Sequence, residues 1–456
     1  MILTQEQSKR IIDKVLSFAQ AEDCSVSVNG NENIQTRFAN NSITTSGRHS
    51  SVSVGISVTT KDGRNGSTSV SETSDEVLRA AVAKAEEMAA LSPPDAEYVE
   101  PLGPQKYPEI NSFDPETAKA GHAALIPAVK SAVTAAEAKK LQSSGFYTVS
   151  TISRSFSNKK GNFGYATRTS ADLSVTARTA DGTGSGWASG DSIRLRDIKH
   201  ADIARIATEK GVMSANPKPL APGKYTVVLE PAAVRDLLPL MTGAFNARNA
   251  EEGRSFFSKR GGGTRLGDKM FSEKITLRSD PFDPRNPGLP WGGGGGFGGG
   301  GGGGFGGGGG GGALPAQKMT WIEKGVVKSL AYSRFWAAKK GVAPTPGPGS
   351  LILEGENNSL EDLIKSTERG LLVTHFWYIR FVNPQTLQYT GLTRDGVFLI
   401  ENGKVTGPVN NFRWNESPAN LLVNVEMMTQ PQLVDGMLLP AMKVRDFNMT
   451  SVSDAV

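Results

Sequence analysis

The order helix, period-two strands, helix occurs twice in the first half of this chain, and a duplication of that kind commits nearly half of the sequence to one architecture. Thr4 reads as an N-cap with Gln7 three residues on, followed by Ile11, Ile12, Val15, Leu16 and Ala19 at helical spacing. From Cys24 to Val70 the period drops to two, as in Val52, Val54, Ile56 and Val58, with a turn at Asp62-Gly63, and Glu76 to Leu91 returns to helix. After the proline-rich connector Ser92 to Pro115 the order repeats: a helix over about Thr117 to Leu141, strands from Phe146 to Trp187, a helix over about Lys199 to Met213. Phe38-Ala39-Asn40-Asn41 corresponds to Phe156-Ser157-Asn158-Lys159, and Thr60-Lys61-Asp62-Gly63 to Thr179-Ala180-Asp181-Gly182. The expected fold class is α+β, with an N-terminal domain at 1–216 whose two halves, about 1–92 and 116–216, share one sheet.

Pro217-Lys218-Pro219 marks a boundary, and 217–456 reads as a β-rich C-terminal domain. It opens with a strand at Lys224 to Leu229 and a helix at Pro231 to Asn246, Pro231 suiting the first turn. The basic glycine loop at 253–270 reads as a solvated connector. Leu371 to Val382 is β-branched and aromatic without alternation, the pattern of a strand buried on both faces, and Val397 to Val409 forms a hairpin about Asn402-Gly403. A similar hairpin centres on Lys324-Gly325; Ser333 to Lys340 and Ser359 to Glu368 read as helices, and Leu351 to Glu354, Leu421 to Met427 and Met437 to Phe447 as strands. From Gly292 to Gly312 every residue is glycine except Phe297 and Phe305. Such a tract loses too much backbone entropy to order itself and is expected to be a disordered insertion without chemistry.

The net charge of +5 and pI of 9.1 are spread along the chain without a basic run, which argues against nucleic acid as a partner. Cys24 is the one cysteine, so neither an intrachain disulfide nor a cysteine-rich metal site is available. No signal peptide and no bilayer-long apolar run is seen, and the expectation is a soluble cytoplasmic protein without membrane contact. His49, His122, His200 and His375 are dispersed, with no His-Glu-x-x-His, no Gly-x-Ser-x-Gly and no phosphate-binding Gly-x-x-x-x-Gly-Lys loop. No catalytic and no metal-binding residue is assigned. His375, with Tyr378 and Arg380 beside it, is the most interesting titratable group, able to bind a carboxylate or shuttle a proton; the plainer reading is a hydrogen-bonded sheet histidine. Arg380 and Arg394 suit acidic partners or peptide carboxylates, with structural ion pairs as the commoner use. Glu230 reads as a helix cap.

Gly370-Leu371-Leu372-Val373-Thr374, followed by Gly396-Val397-Phe398-Leu399-Ile400-Glu401-Asn402-Gly403-Lys404-Val405 and Pro408-Val409, together with the segment order, resembles the TldD/PmbA (TldD/TldE) metallopeptidase family over the whole chain outside the glycine tract. The resemblance implies a cytosolic assembly in which a TldD-type subunit carries zinc and hydrolyses peptides beside a TldE/PmbA-type subunit. TldD-type chains place His-Glu-x-x-x-His on the helix after the strand corresponding to Lys224 to Leu229, and a cysteine ligand near the C-terminus. Here that helix begins Glu230-Pro231-Ala232-Ala233-Val234-Arg235-Asp236-Leu237, and residues 415–456 hold no cysteine. The resemblance therefore implies a TldE/PmbA-like subunit that binds no cofactor itself, pairs as a dimer with a zinc-bearing TldD-like chain and helps enclose an extended peptide. His375, Tyr378, Arg380 and Arg394 are its candidate peptide-cavity residues. The alternatives are an autonomous hydrolase with an unrecognised site and a homodimeric peptide-binding protein.

Overall fold

Serine and threonine alternating with branched apolar residues produce very long strands. In β1 (Asp23–Ala39), Cys24, Val26, Val28, Ile34 and Phe38 are buried on one face. The computed structural model describes residues 2–292 and 314–453. β1 is followed by β2 (Ser42–Thr59), β3 (Asn65–Val70), β4 (Leu141–Asn158), β5 (Phe163–Thr179) and β6 (Ser185–Ser192), in one antiparallel sheet of order β3-β2-β1-β4-β5-β6. The halves of the duplication meet at the β1–β4 ladder, from Ser25↔Asn158 to Phe38↔Gly145, so the shared sheet is as expected. Helices α1 (Gln5–Phe18) and α2 (Asp75–Leu91) cover the first half through Ile12, Val15, Leu78 and Val82. Helices α3 (Ile126–Ala138) and α4 (His200–Met213) cover the second through Val129, Ala132, Ile203 and Ala207. The single helix expected over 117–141 is broken: Pro115–Ala118 and His122–Ala124 are separate turns, Gly121 lies between them, and Pro127 sits in the first turn of α3.

The C-terminal region contains a closed barrel. Its strands are β7 (Gly223–Leu229), β8 (Arg369–Asn383), β9 (Gln388–Glu401), β10 (Lys404–Pro408), β11 (Asn411–Glu416) and β12 (Met442–Ser453). The order β8-β7-β12-β11-β9 returns to β8 through β8–β9 pairing, which closes five strands, with β10 appended to β9. Val227 and Leu229 of β7 join Phe376, Phe412, Trp414 and Phe447 in the main core, whereas Val228 joins Leu372, Phe398 and Ile400 in a second cluster, so β7 is buried on both faces. A smaller sheet of short strands, including Leu277–Ser279, Met319–Glu323 and Leu351–Leu353, packs beside it. Asn402 (φ 52°) and Gly403 (φ 75°) make the hairpin turn in the left-handed conformations expected of that dipeptide.

Three local expectations are corrected. Helix α5 (Pro231–Leu237) stops short of Asn246 and continues as a 3-10 segment over Leu238–Phe245, because Pro239 supplies no backbone N–H to an α-helical ladder. Leu421 to Met427 is mostly helix α6 (Pro418–Asn424), started by Ser417, whose side chain accepts from the Ala419 N–H, and by Pro418 at the first turn; Val425–Met428 alone is strand. β8 is buried as expected only to Phe376, because its parallel pairing with β7 runs from Gly370 to Val373 and its far half has β9 alone beside it. The glycine tract, 292–312, lies outside the described residues apart from Gly292; Trp291–Gly292 and Leu314–Pro315 pair antiparallel. Among the described residues no helix is long and apolar enough to cross a membrane.

Candidate functional site

Polar side chains from both regions converge where the second half of the N-terminal sheet meets the barrel, around α5. That helix follows β7 directly, so its first turn starts at the barrel end. Glu230, at the N-cap position, makes no capping hydrogen bond; its carboxylate pairs with Lys210 Nζ of α4 at 2.5 Å, both side chains largely buried. The expected cap is thus an ion pair across the seam. Asp236, one turn on, accepts from the Phe376 N–H at 2.8 Å and lies 3.1 Å from Arg235, with His375 Nδ1 at 3.8 Å. Burial pushes the Asp236 carboxyl above its ordinary range, against the lowering pull of His375, the Phe376 N–H and Arg235. Arg235 also pairs with Asp435, whose N–H, with that of Gly436, donates to Asp191 of β6 at 2.7 and 2.9 Å.

Asp395 is the hub. His375 Nε2 meets its Oδ2 at 2.8 Å, Arg394 Nε approaches the same oxygen at 3.6 Å, and Ser185 Oγ of β6 donates to its Oδ1. Burial alone would raise this carboxyl; the hydrogen bond and charge of His375, helped by Ser185 and Arg394, outweigh it and hold Asp395 below the ordinary value. The His375 ring lies 4.7 Å from the Trp187 ring of β6 between centres, tilted by 37°, and its Nδ1 faces the Phe376 carbonyl at 3.1 Å. Serine, histidine and aspartate are all present, but in the wrong order for nucleophilic catalysis. The carboxylate stands between the other two, so the imidazole does not reach the Ser185 proton, and Ser185 is buried.

The donor set does not fit zinc either. Among the described residues no group of three or more His, Cys, Asp or Glu is placed to hold a metal ion. The carboxylates on and before α5, Glu230 and Asp236, are engaged by Lys210 and by Arg235 with the Phe376 N–H. Cys24 lies buried in the N-terminal core, its thiol pushed up to about 12 by burial, which makes it inert.

The four candidate residues fall in two places. His375 and Arg394 stand opposite each other across β8–β9 and share Asp395. Tyr378 and Arg380 lie on the exposed far half of β8, the guanidinium 4.2 Å from the Tyr378 ring centre. Arg394 links the places, 4.4 Å from the ring centre of Trp377. Sequence reading missed Ser185, Asp191, Lys210, Arg235, Asp236, Asp395 and Asp435. The local signals were two Asp-Gly dipeptides, Asp395-Gly396 and Asp435-Gly436, both at positive φ; the backbone N–H groups of the second carry the contact to Asp191. Away from the seam, a cavity of about 650 Å³ opens near the β8–β9 turn; half of its lining residues are amides, among them Gln385, Gln388 and Asn415, with Glu416, Asp446 and Lys224 beside them.

Three family models cover the chain: PmbA/TldA metallopeptidase domain 1 at residues 24–89, the central domain at 109–215 and the C-terminal domain at 222–451. Among solved structures, the chain is similar to TldE from Thermococcus kodakarensis, with 22% identity, a TM-score of 0.81, and 96% of this chain and 99% of that chain covered. It is also similar to a putative modulator of a DNA gyrase from Thermotoga maritima MSB8 (18% identity, TM-score 0.82, 96% and 99% covered). A putative modulator of DNA gyrase from Bacteroides thetaiotaomicron VPI-5482 matches at 20% identity and TM-score 0.80, with 99% and 100% covered. No curated protein sequence matches.

Proposed function

The chain belongs to the PmbA/TldD family of metallopeptidases, and from that premise we propose that it is a TldE-like, non-catalytic subunit of a cytosolic zinc metallopeptidase complex acting on peptides or unfolded proteins. In this reading a TldD-like partner supplies the zinc and this chain completes the enclosure around the substrate. The observation that carries it is the state of α5. The helix on which the resemblance expects metal ligands presents Arg235 and Asp236: Asp236 is held by Arg235 and the Phe376 N–H of β8, and Arg235 also pairs with Asp435, whose backbone N–H in turn donates to Asp191 of the N-terminal sheet. A carboxylate so paired is held in place by its neighbours, and an arginine supplies no lone pair to a metal. His375 and Arg394 serve the same seam, whereas Tyr378 and Arg380 stand exposed and remain available to a peptide or a partner.

Co-expression with a TldD-like chain, size exclusion and a peptide-cleavage assay with and without chelator test the reading. The expected result is a complex with chelator-sensitive cleavage, and this chain alone with neither turnover nor stoichiometric zinc. Chelator-sensitive cleavage by the purified chain alone would overturn it.

A further inference from the structure

The far half of β8 is an arm left half exposed: Phe381 meets the Tyr389 ring edge-on at 5.0 Å, and the rest of its apolar surface faces outward. Trp377, Tyr378, Phe381 and Val382 are each 50–53% exposed, although six of the seven residues from Gly370 to Phe376 that precede them are buried. Scattered exposed apolar residues are ordinary; four within six positions make a patch. Local geometry turns these side chains outward. Between the pairs Trp377↔Leu392 and Arg380↔Thr390 the β8 strand holds one residue more than β9, and Tyr378 sits at φ 52°, a left-handed conformation that an aromatic residue rarely adopts. A bulge that costs strain and exposes aromatic rings points to a use for them.

The charge on the arm says what covers it. From Trp377 to Arg394 there is no Asp or Glu, while Arg380 and Arg394 lie over the Tyr378 and Trp377 rings. Arg413, exposed on the neighbouring β11 and opposite Leu392, adds a third cation, and neither it nor Arg380 has a carboxylate partner among the described residues. Trp, Tyr and Arg are the residue types that dominate binding energy at protein interfaces. Two copies of this arm brought face to face would set arginine against arginine, which disfavours self-association through it.

We propose that the arm Trp377–Val382 docks into an apolar groove rimmed by carboxylates on the metal-bearing TldD-like subunit. The inference rests on the subunit reading above. Association of the purified subunits would be followed by light scattering after size exclusion and by a titration giving Kd, with thermal melts confirming that each variant is folded. Trp377→Ala and Phe381→Ala each raise Kd by about 10- to 100-fold. Arg380→Glu weakens binding and flattens its dependence on salt, while Leu91→Ala, exposed on a distant helix, changes nothing. If the folded arm variants pair like wild type, the arm is not the interface although the subunit reading stands. If the wild-type chain does not pair at all, the subunit reading falls and the docking proposal with it. Self-association, or co-sedimentation with phosphatidylcholine–phosphatidylglycerol vesicles, lost in the arm variants would replace the subunit with a second copy or a lipid surface and overturn the proposal.

Discussion

Asp172 and Asp395 are buried carboxylates driven in opposite directions, and the contrast shows what a partner does for a buried charge. Asp395 has His375 in contact and stays below its ordinary range. Asp172 of β5 has a hydrogen bond from Ser170 and a more distant Arg168, and burial, reinforced by Asp191, pushes it up to about 6. A folded-state value above the unfolded one means that the folded protein binds the proton more tightly. The contribution of Asp172 is therefore present at low pH and is lost as pH rises from about 4, the unfolded value, through about 6. Asp172→Asn removes that titration. The stability of wild type relative to this variant is expected to fall by on the order of 2 kcal/mol across that window, measured by urea denaturation at stepped pH. A difference that stays flat from pH 4 to 6 would show that Asp172 is solvated. None of this was legible in the text of the chain. Asp172, Asp191, Asp236, Asp395 and Asp435 come from separate segments, and periodicity reports which face a residue lies on, not which distant charge will meet it.

At the scale of elements the sequence was far more readable, and its errors have identifiable causes. Hairpins at Lys324-Gly325 and Asn402-Gly403 were legible because their turn residues must tolerate positive φ, a local requirement. The helix expected over 231–246 and the strand expected over 421–427 failed where a proline at position 239 or 418 decided the backbone. β8 was legible only as far as its neighbour β7 extends, since a strand with aromatic text on both faces reads the same whether a second strand or a partner covers it. Tyr378 separates those two causes of burial. Tyr378→Gly relieves the left-handed strain and is expected to raise folding stability by about 1 kcal/mol. The same change removes a ring from the arm and is expected to weaken subunit pairing by about tenfold. Chemical denaturation and a pairing titration on one variant measure both; a loss of stability would mean that the ring packs on its own chain after all.

For the whole molecule, the duplication made the N-terminal sheet legible and the family resemblance implied a β-rich C-terminal part, while the order of the barrel strands and the ring closure through β8–β9 were visible only in three dimensions. The glycine tract enters this architecture at one point. Trp291–Gly292 pairs with Leu314–Pro315, Trp291 is buried against Phe156, Leu289 and Tyr107, and so the two ends of the tract are already held together by contacts outside it. A segment whose ends are fixed by other contacts affects stability mainly through closure entropy, which changes slowly with length. Replacing residues 293–313 with a flexible linker of about five residues is therefore expected to leave the fold intact and to raise stability by at most about 1 kcal/mol. Trp291→Ala in the full-length chain, by contrast, removes a ring that meets Phe156 edge-on at 5.0 Å between centres and is expected to cost about 3 kcal/mol. Thermal and urea denaturation of the two variants decide between this account and one in which the tract itself supports the fold. If shortening the tract destabilises the chain more than Trp291→Ala does, the glycines contribute contacts and the paired flanks are not what closes the excursion.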